Sequence, residues 1–225
     1  MKLTTLLPLL ISLPISFSAR AINVGEVTAM MGSDASSLAK EIINATDMAR
    51  YVSVRVERIS SPMAGGETIP MESKGELLST PASMIMPGLA KENFRFFYQG
   101  PADDRERYYR LSWTDEPVTE YGQDKNNKTG QATTSAIIGT ILVVAPRQQH
   151  FDYTHSGDSV TNTGNVSFRV ISYGPCRDKQ KESGQGCRER YYLMPGVTVK
   201  IKYTDLANKR TRIGIWHDGQ YINVN

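Results

Sequence analysis

Two cysteines and three histidines in 225 residues leave little from which to build a metal centre. Cys176 and Cys187 are too far apart for a C-x-x-C pair, and two ligands do not make a zinc site. His150, His155 and His217 lack the i, i+4 spacing that sets two imidazoles on one face of an element. No glycine-rich loop follows a strand and opens a helix, so no phosphate cradle is expected. Asp103-Asp104 and Asp115-Glu116 are adjacent carboxylates, and neighbours on a strand point to opposite faces, where they cannot act together on one bond. Gly157-Asp158-Ser159 lacks the surrounding glycines of a nucleophile site and reads as a turn. The chain is therefore read as no enzyme, with no cofactor and no metal. Charge of one sign is also lacking: 26 basic groups face 23 acidic ones. Losing Lys2 and Arg20 with a leader would cut that excess of three to one. Such balance argues against nucleic acid or an anionic membrane as the main partner.

A long apolar run is present only at the start. Residues 3–17 are apolar, follow Lys2 and are interrupted by Pro8 and Pro14, and Ala19-Arg20-Ala21 has small residues at both positions read by a signal peptidase. A run this short spans a membrane poorly. Residues 1–21 are expected to be a cleaved signal peptide, leaving Ile22 first in a soluble, exported protein without membrane insertion. In an oxidising compartment Cys176 and Cys187 are expected to pair.

Helical periodicity is missing from the rest, and short strands bounded by turn signals replace it. Residues 22–31, 38–44, 51–59, 77–81, 83–86, 94–98 and 108–113 read as strands. Residues 51–59 alternate cleanly, with Val52, Val54 and Val56 on one side and Ser53, Arg55 and Glu57 on the other. After a polar loop at residues 121–133 comes TTSAIIGTILVVAPR, residues 133–147, whose β-branched residues favour a pleated backbone. Both of its faces are apolar. Such a strand is either covered on both sides or keeps one face for a partner. Pro146-Arg147-Gln148-Gln149 reads as a boundary, beyond which strands restart at 151–153, 166–173, 191–194, 197–203, 212–216 and 221–224. The expected fold is all-β: two sandwiches over residues 22–147 and 148–225.

Ser79-Thr80-Pro81, Met86-Pro87-Gly88, the series DRERYYR at 104–110 and residues 139–147 together resemble the periplasmic chaperones of the chaperone/usher pathway. Asn162-Thr163-Gly164-Asn165, Tyr173-Gly174-Pro175-Cys176 and YYLMPG at 191–196 match the second domain of the same family, and the likeness is greatest to the common-pilus (Ecp-type) chaperones. The resemblance implies two immunoglobulin-like domains set at an angle, pilus subunits and an outer-membrane usher as partners, and self-association of the free chaperone. It also implies that the last strand of the first domain is donated to a subunit lacking one. About a dozen strand residues reach roughly 40 Å, and each buried aliphatic side chain would contribute about 1.5–3 kcal/mol. Aligning Pro146 with the proline that follows this strand in the family sets Ala136, Ile138, Thr140 and Leu142 on the donor side and Ile137, Ile141 and Val143 in the core. Better-known members grip the subunit's terminal carboxylate with two cations, whereas Val27-Thr28-Ala29-Met30 and Ile141 offer no charge at the matching positions. Arg147 is then either a cleft anchor or, preferably, the partner of Glu106 in an interdomain ion pair. Two other exported β-sandwich classes compete with this reading. One is a structural pilus subunit or adhesin. The other is a carbohydrate-binding protein using Tyr108, Tyr109, Tyr191 and Tyr192.

Overall fold

In RYYRLSWTDEP the odd positions Tyr109, Leu111, Trp113 and Asp115 are buried and the even ones only partly so, the alternation of a strand with one face on a core. The computed structural model describes residues 21–118, 134–181 and 184–224; most of the expected signal peptide and all of the polar loop at 121–133 lie outside them. Nine strands come first: β1 (Ile22–Asn23), β2 (Thr28–Met31), β3 (Ser37–Asn44), β4 (Arg50–Ile59), β5 (Leu77–Thr80), β6 (Ser83–Met86), β7 (Lys91–Tyr98), β8 (Arg107–Pro117) and β9 (Ala136–Val144). They form two sheets, ordered β1-β3-β7-β5 and β2-β9-β8-β4-β6. The core lies between them, centred on Trp113, which receives Phe94 and Phe96 from the opposite sheet edge-on at 5.1 and 6.1 Å. Such aromatic pairs add about 0.5–1.5 kcal/mol beyond their buried area.

The single strand expected over residues 22–31 is two strands in different sheets. β1 pairs with β3, and β2 runs parallel to β9. Between them Gly25 takes φ +68°, a conformation open to glycine that turns the chain across the top of the sandwich. Lys40 holds this crossing through a 2.5 Å bond to the Glu26 carbonyl. Asp115, fully buried, accepts the Ile22 amide at 3.2 Å and Arg50 Nε at 2.6 Å, tying β1, β4 and β8 together.

Seven further strands follow: β10 (Tyr153–Ser156), β11 (Ser159–Asn162), β12 (Phe168–Gly174), β13 (Cys187–Leu193), β14 (Thr198–Lys200), β15 (Arg212–His217) and β16 (Gln220–Asn223). Their sheets, β10-β11-β14 and β13-β12-β15-β16, enclose a second core that includes Val160, Phe168, Val170, Leu193 and Ile215. Residues 159–162, not read as a strand from sequence, form β11 across the turn at Gly157 (φ +60°). The expected bond between Cys176 and Cys187 is present and joins the residues just after β12 to the start of β13. Glu189, buried on β13, accepts the amides of Lys202, Tyr203 and Thr204 at 2.7–2.8 Å. Burial alone would raise its pKa, but these bonds and the Tyr191 hydroxyl outweigh it and bring the carboxyl down to about 2. Among the described residues there is one helical element, the 3-10 turn Lys179–Lys181, and no helix is long and apolar enough to cross a membrane.

Candidate functional site

The two halves of β9 sit in different surroundings. Along its whole length it pairs antiparallel with β8, Ala136 opposite Asp115 and Val144 opposite Arg107. On the other edge β2 covers only Ile141 to Val144. Ile141 N donates to the Val27 carbonyl at 2.7 Å and Ala145 N to Met31 at 2.9 Å, so odd-numbered backbone groups point away from β8. By the alternation of a strand the amides and carbonyls of Ile137 and Gly139 face the same way. Among the described residues no strand meets them there.

The same odd residues turn their side chains outward. Ile137 is 77% exposed, Ile141 is half-buried, and a Cβ added to Gly139 would meet nothing within 4 Å. On this face they lie beside Thr114, Ser112 and Arg110 of β8. The parity expected from Pro146 is therefore reversed. Thr140 and Leu142 are buried in this domain's own core, Ile138 packs against it, and Ala136 shares their side of the strand. The physical reason is Trp113, whose Nε1 donates to the Thr140 hydroxyl at 2.9 Å. A buried indole N–H needs an acceptor, and the threonine that reads as a surface residue supplies it.

At the C-terminal end of β9 the chain passes into a cleft between the two cores. Buried Arg107 binds Asp103 through both carboxylate oxygens at 2.6 and 2.8 Å and Glu72 at 3.0 Å. That guanidinium pulls the Asp103 carboxyl down to about 2. The Asp103 carbonyl then accepts the amides of Arg147 and Gln148 at 2.8 and 3.2 Å, fixing where the chain crosses. Arg147 does not pair with Glu106 as expected. Its guanidinium donates to the Gly32 and Ser33 carbonyls at 2.7 and 2.9 Å and lies over the Tyr98 ring at 4.9 Å. Those bonds close a turn of the first domain and leave Arg147 poorly placed as a cleft anchor. Glu106 does cross to the second domain, but to Ser167, whose amide donates at 2.7 Å and whose hydroxyl also donates to it. Burial raises the Glu106 pKa, and the serine bonds only partly offset this. Asn165 adds a second link, donating to the carbonyls of Asp104 at 2.9 Å and Gln148 at 2.7 Å.

The cleft holds a cavity of about 290 Å³ lined by Met30, Met31, Ser167, Arg169, Trp216 and His217, among others. A smaller one, about 80 Å³, reaches from Met30, Tyr108 and Val143 to Tyr192 and Met194. Arg169 is the arginine at this site, and sequence reasoning missed it. Its Nη2 donates to the Tyr192 hydroxyl at 2.8 Å, while its Nε is buried without a hydrogen-bond partner. The signal that could have found it is an arginine at a position of the 166–173 strand whose parity opposes the inward Phe168 and Val170. Among the described residues no group of three His, Cys, Asp or Glu side chains is placed to hold a metal ion. An open backbone edge beside outward aliphatic side chains is suited to binding a chain segment.

A family model described as the EcpB C-terminal domain matches residues 151–224. The chain is 45% identical over 206 residues to the probable fimbrial chaperone EcpB of Klebsiella pneumoniae (strain 342), covering 92% of each. It is 44% identical over 219 residues to the protein of that name from Escherichia coli (strain SMS-3-5 / SECEC), covering 97% of this chain and 98% of the other. Among solved structures, the class 5 fimbriae chaperone CfaA matches with a TM-score of 0.57 at 16% identity, covering 90% of this chain and 97% of that one. That likeness shows the fold: two immunoglobulin-like β-sandwiches.

Proposed function

The chain belongs to the EcpB family of fimbrial chaperones, and from that premise we propose that it lends β9 to fimbrial subunits in the periplasm and passes them to an outer-membrane usher. Ile137, Gly139 and Ile141 are the side turned to the client, and Val143, of the same parity, is buried at the cleft end of the strand. The observation that carries this reading is the coincidence, in one half of one strand, of a backbone edge that no described strand covers and an exposed aliphatic side chain, Ile137. A client sandwich lacking a strand exposes a groove and unpaired edges, and an added strand satisfies both. The inner face of β9 stays in its own core throughout, so the chaperone does not unfold to serve its client. In the cleft, Arg169 takes the role first considered for Arg147, that of the cation available to a carboxylate ending the client chain. Fimbrial-subunit and carbohydrate-binding readings gain nothing from the relatives, which are named as chaperones.

The test is co-production of the chain with a fimbrial subunit of the same bacterium, followed by purification through a tag on the chain. A stable one-to-one complex is expected, and Ile137→Asp should lose it while remaining folded. Recovery of the chain without subunit, alongside subunit that stays soluble by itself, would contradict the reading.

A further inference from the structure

The second domain turns an unusual face outward. In the sheet β13-β12-β15-β16 the inward residues build the core, and the outward ones fall into rows by register. Nearest the cleft lie Tyr192, Arg169, Trp216 and Tyr221. The middle row is Arg190, Ile171, Gly214 and Asn223, and the far row is Arg188, Tyr173 and Arg212. Rows two residues apart on a strand are separated by about 7 Å, so this face runs roughly 14 Å away from the cleft. It is flat across its middle, since a Cβ at Gly214 would meet the Tyr221 ring at 2.2 Å, which places that ring over the glycine.

These outward positions hold four arginines and four aromatic side chains but no lysine and no carboxylate. The aromatics are 42–47% exposed. Glu189, between Arg188 and Arg190 in sequence, is turned inward and saturated with bonds. Asp218, in the turn after β15, contacts His217 at 3.4 Å. Arg169 bonds the Tyr192 hydroxyl, and Arg212 bonds the carbonyls of Lys209 and Thr211 at 2.8 and 2.9 Å. None of the four arginines is within ion-pair distance of a carboxylate among the described residues.

Arginine, tyrosine and tryptophan without lysine is the composition of a protein-binding patch, where planar guanidinium groups grip carboxylates in pairs and rigid rings supply area. Binding to an anionic membrane typically uses an amphipathic helix that buries an apolar face among the lipids, and this surface is the face of a β-sheet. The face is also continuous with the donor strand. Met30 of β2 lines both cleft cavities, Val143 of β9 shares the smaller one with Tyr192, and Arg169 and Trp216 line the larger.

We propose that this arginine and aromatic face is a second docking surface for the fimbrial subunit held by β9, meeting a carboxylate-rich patch on the subunit's body. The proposal rests on the strand-lending reading and adds the chemistry of the client surface that must lie beyond the cleft. Its contribution is that of guanidinium–carboxylate pairs in the bound complex, so it slows release at low salt and gives release its salt dependence.

The experiment follows release of a fimbrial subunit of the same bacterium from its purified complex with the full chain, at low and at high salt. Release from the wild type should quicken as salt rises. A chain carrying Arg188→Ser, Arg190→Ser and Arg212→Ser should release the subunit about tenfold faster at low salt, with most of the salt dependence gone and an unchanged melting temperature. Arg190→Ser alone should shift release the same way by less, which guards against misfolding of the triple variant. Ile137→Asp should prevent capture at every salt concentration. If Ile137→Asp prevents capture but the triple variant releases subunit as the wild type does, the strand reading stands and the second surface is refuted. If capture survives Ile137→Asp, the strand reading fails and takes this proposal with it. Wild-type sedimentation with phosphatidylglycerol vesicles that the triple variant loses, with release unchanged, would assign the face to a lipid surface and also overturn the proposal.

Discussion

From Ile141 to Val144, β9 is stitched on both edges and closes a core, whereas from Ala136 to Thr140 it has one edge that no described strand covers and an outer side chain, Ile137, standing in solvent. The same two-faced apolar sequence serves both halves. The difference lies in the short strand β2, which ends its cover where Thr28 meets Ile141. A strand can thus be structural and available at once, by dividing its duties along its length and between its faces.

The contrast breaks most visibly if the inner face proves dispensable. Leu142→Ala removes a side chain with no exposure and should cost about 2–5 kcal/mol, read as a lower midpoint in urea unfolding. Thr140→Val keeps the shape but strands the Trp113 N–H, and the expected loss is about 1–3 kcal/mol. Ile137→Asp should change stability by no more than about 0.5 kcal/mol. A large loss there, with Leu142→Ala neutral, would mean the faces are assigned the wrong way round.

The smallest effect concerns pH and compares two glutamates, one buried within a domain and one half-buried at the joint. The Glu189 carboxyl is held at about 2, below its value in the unfolded chain. Its contribution is therefore present above the ordinary carboxylate range and lost as pH falls toward 2. For Glu106 the direction is opposite, because burial raises its pKa. The folded protein takes up that proton before the unfolded chain does, so this group favours folding more as pH falls through the raised value. Glu189→Gln should flatten the acid loss in unfolding curves recorded from pH 7 to 3. Glu106→Gln should steepen it slightly. A variant pair with identical pH profiles would remove the distinction.

Much of this was legible in the sequence because it rests on local pattern. Residues 51–59 alternate and form β4, and the turn signals divide the chain into short strands. The family resemblance at 79–88, 104–110 and 162–165 carried the function. Parity in residues 133–147 was not legible, since with apolar residues at both phases the deciding group is the Trp113 N–H on another strand. The sheet switch at Gly25 hides in a stretch, residues 22–31, that reads as one strand. Arg147 and Glu106 are near enough in family pattern to suggest a pair. Only the fold shows that the carbonyls of Gly32 and Ser33 and the hydroxyl of Ser167 reach them first. The arginine and aromatic face draws on four strands between Phe168 and Asn223, and no single stretch of sequence displays it.

Amide hydrogen exchange on β9, with and without a bound fimbrial subunit, tests the strand-lending claim most directly. In the free protein Ile138, Thr140 and Leu142, whose amides face β8, should exchange slowly, and Ile137 and Gly139 quickly. Binding should slow Ile137 and Gly139 by at least tenfold, since ladder bonds close over them. A subunit that binds tightly while those two amides go on exchanging at the free rate would show that β9 is not the strand it takes.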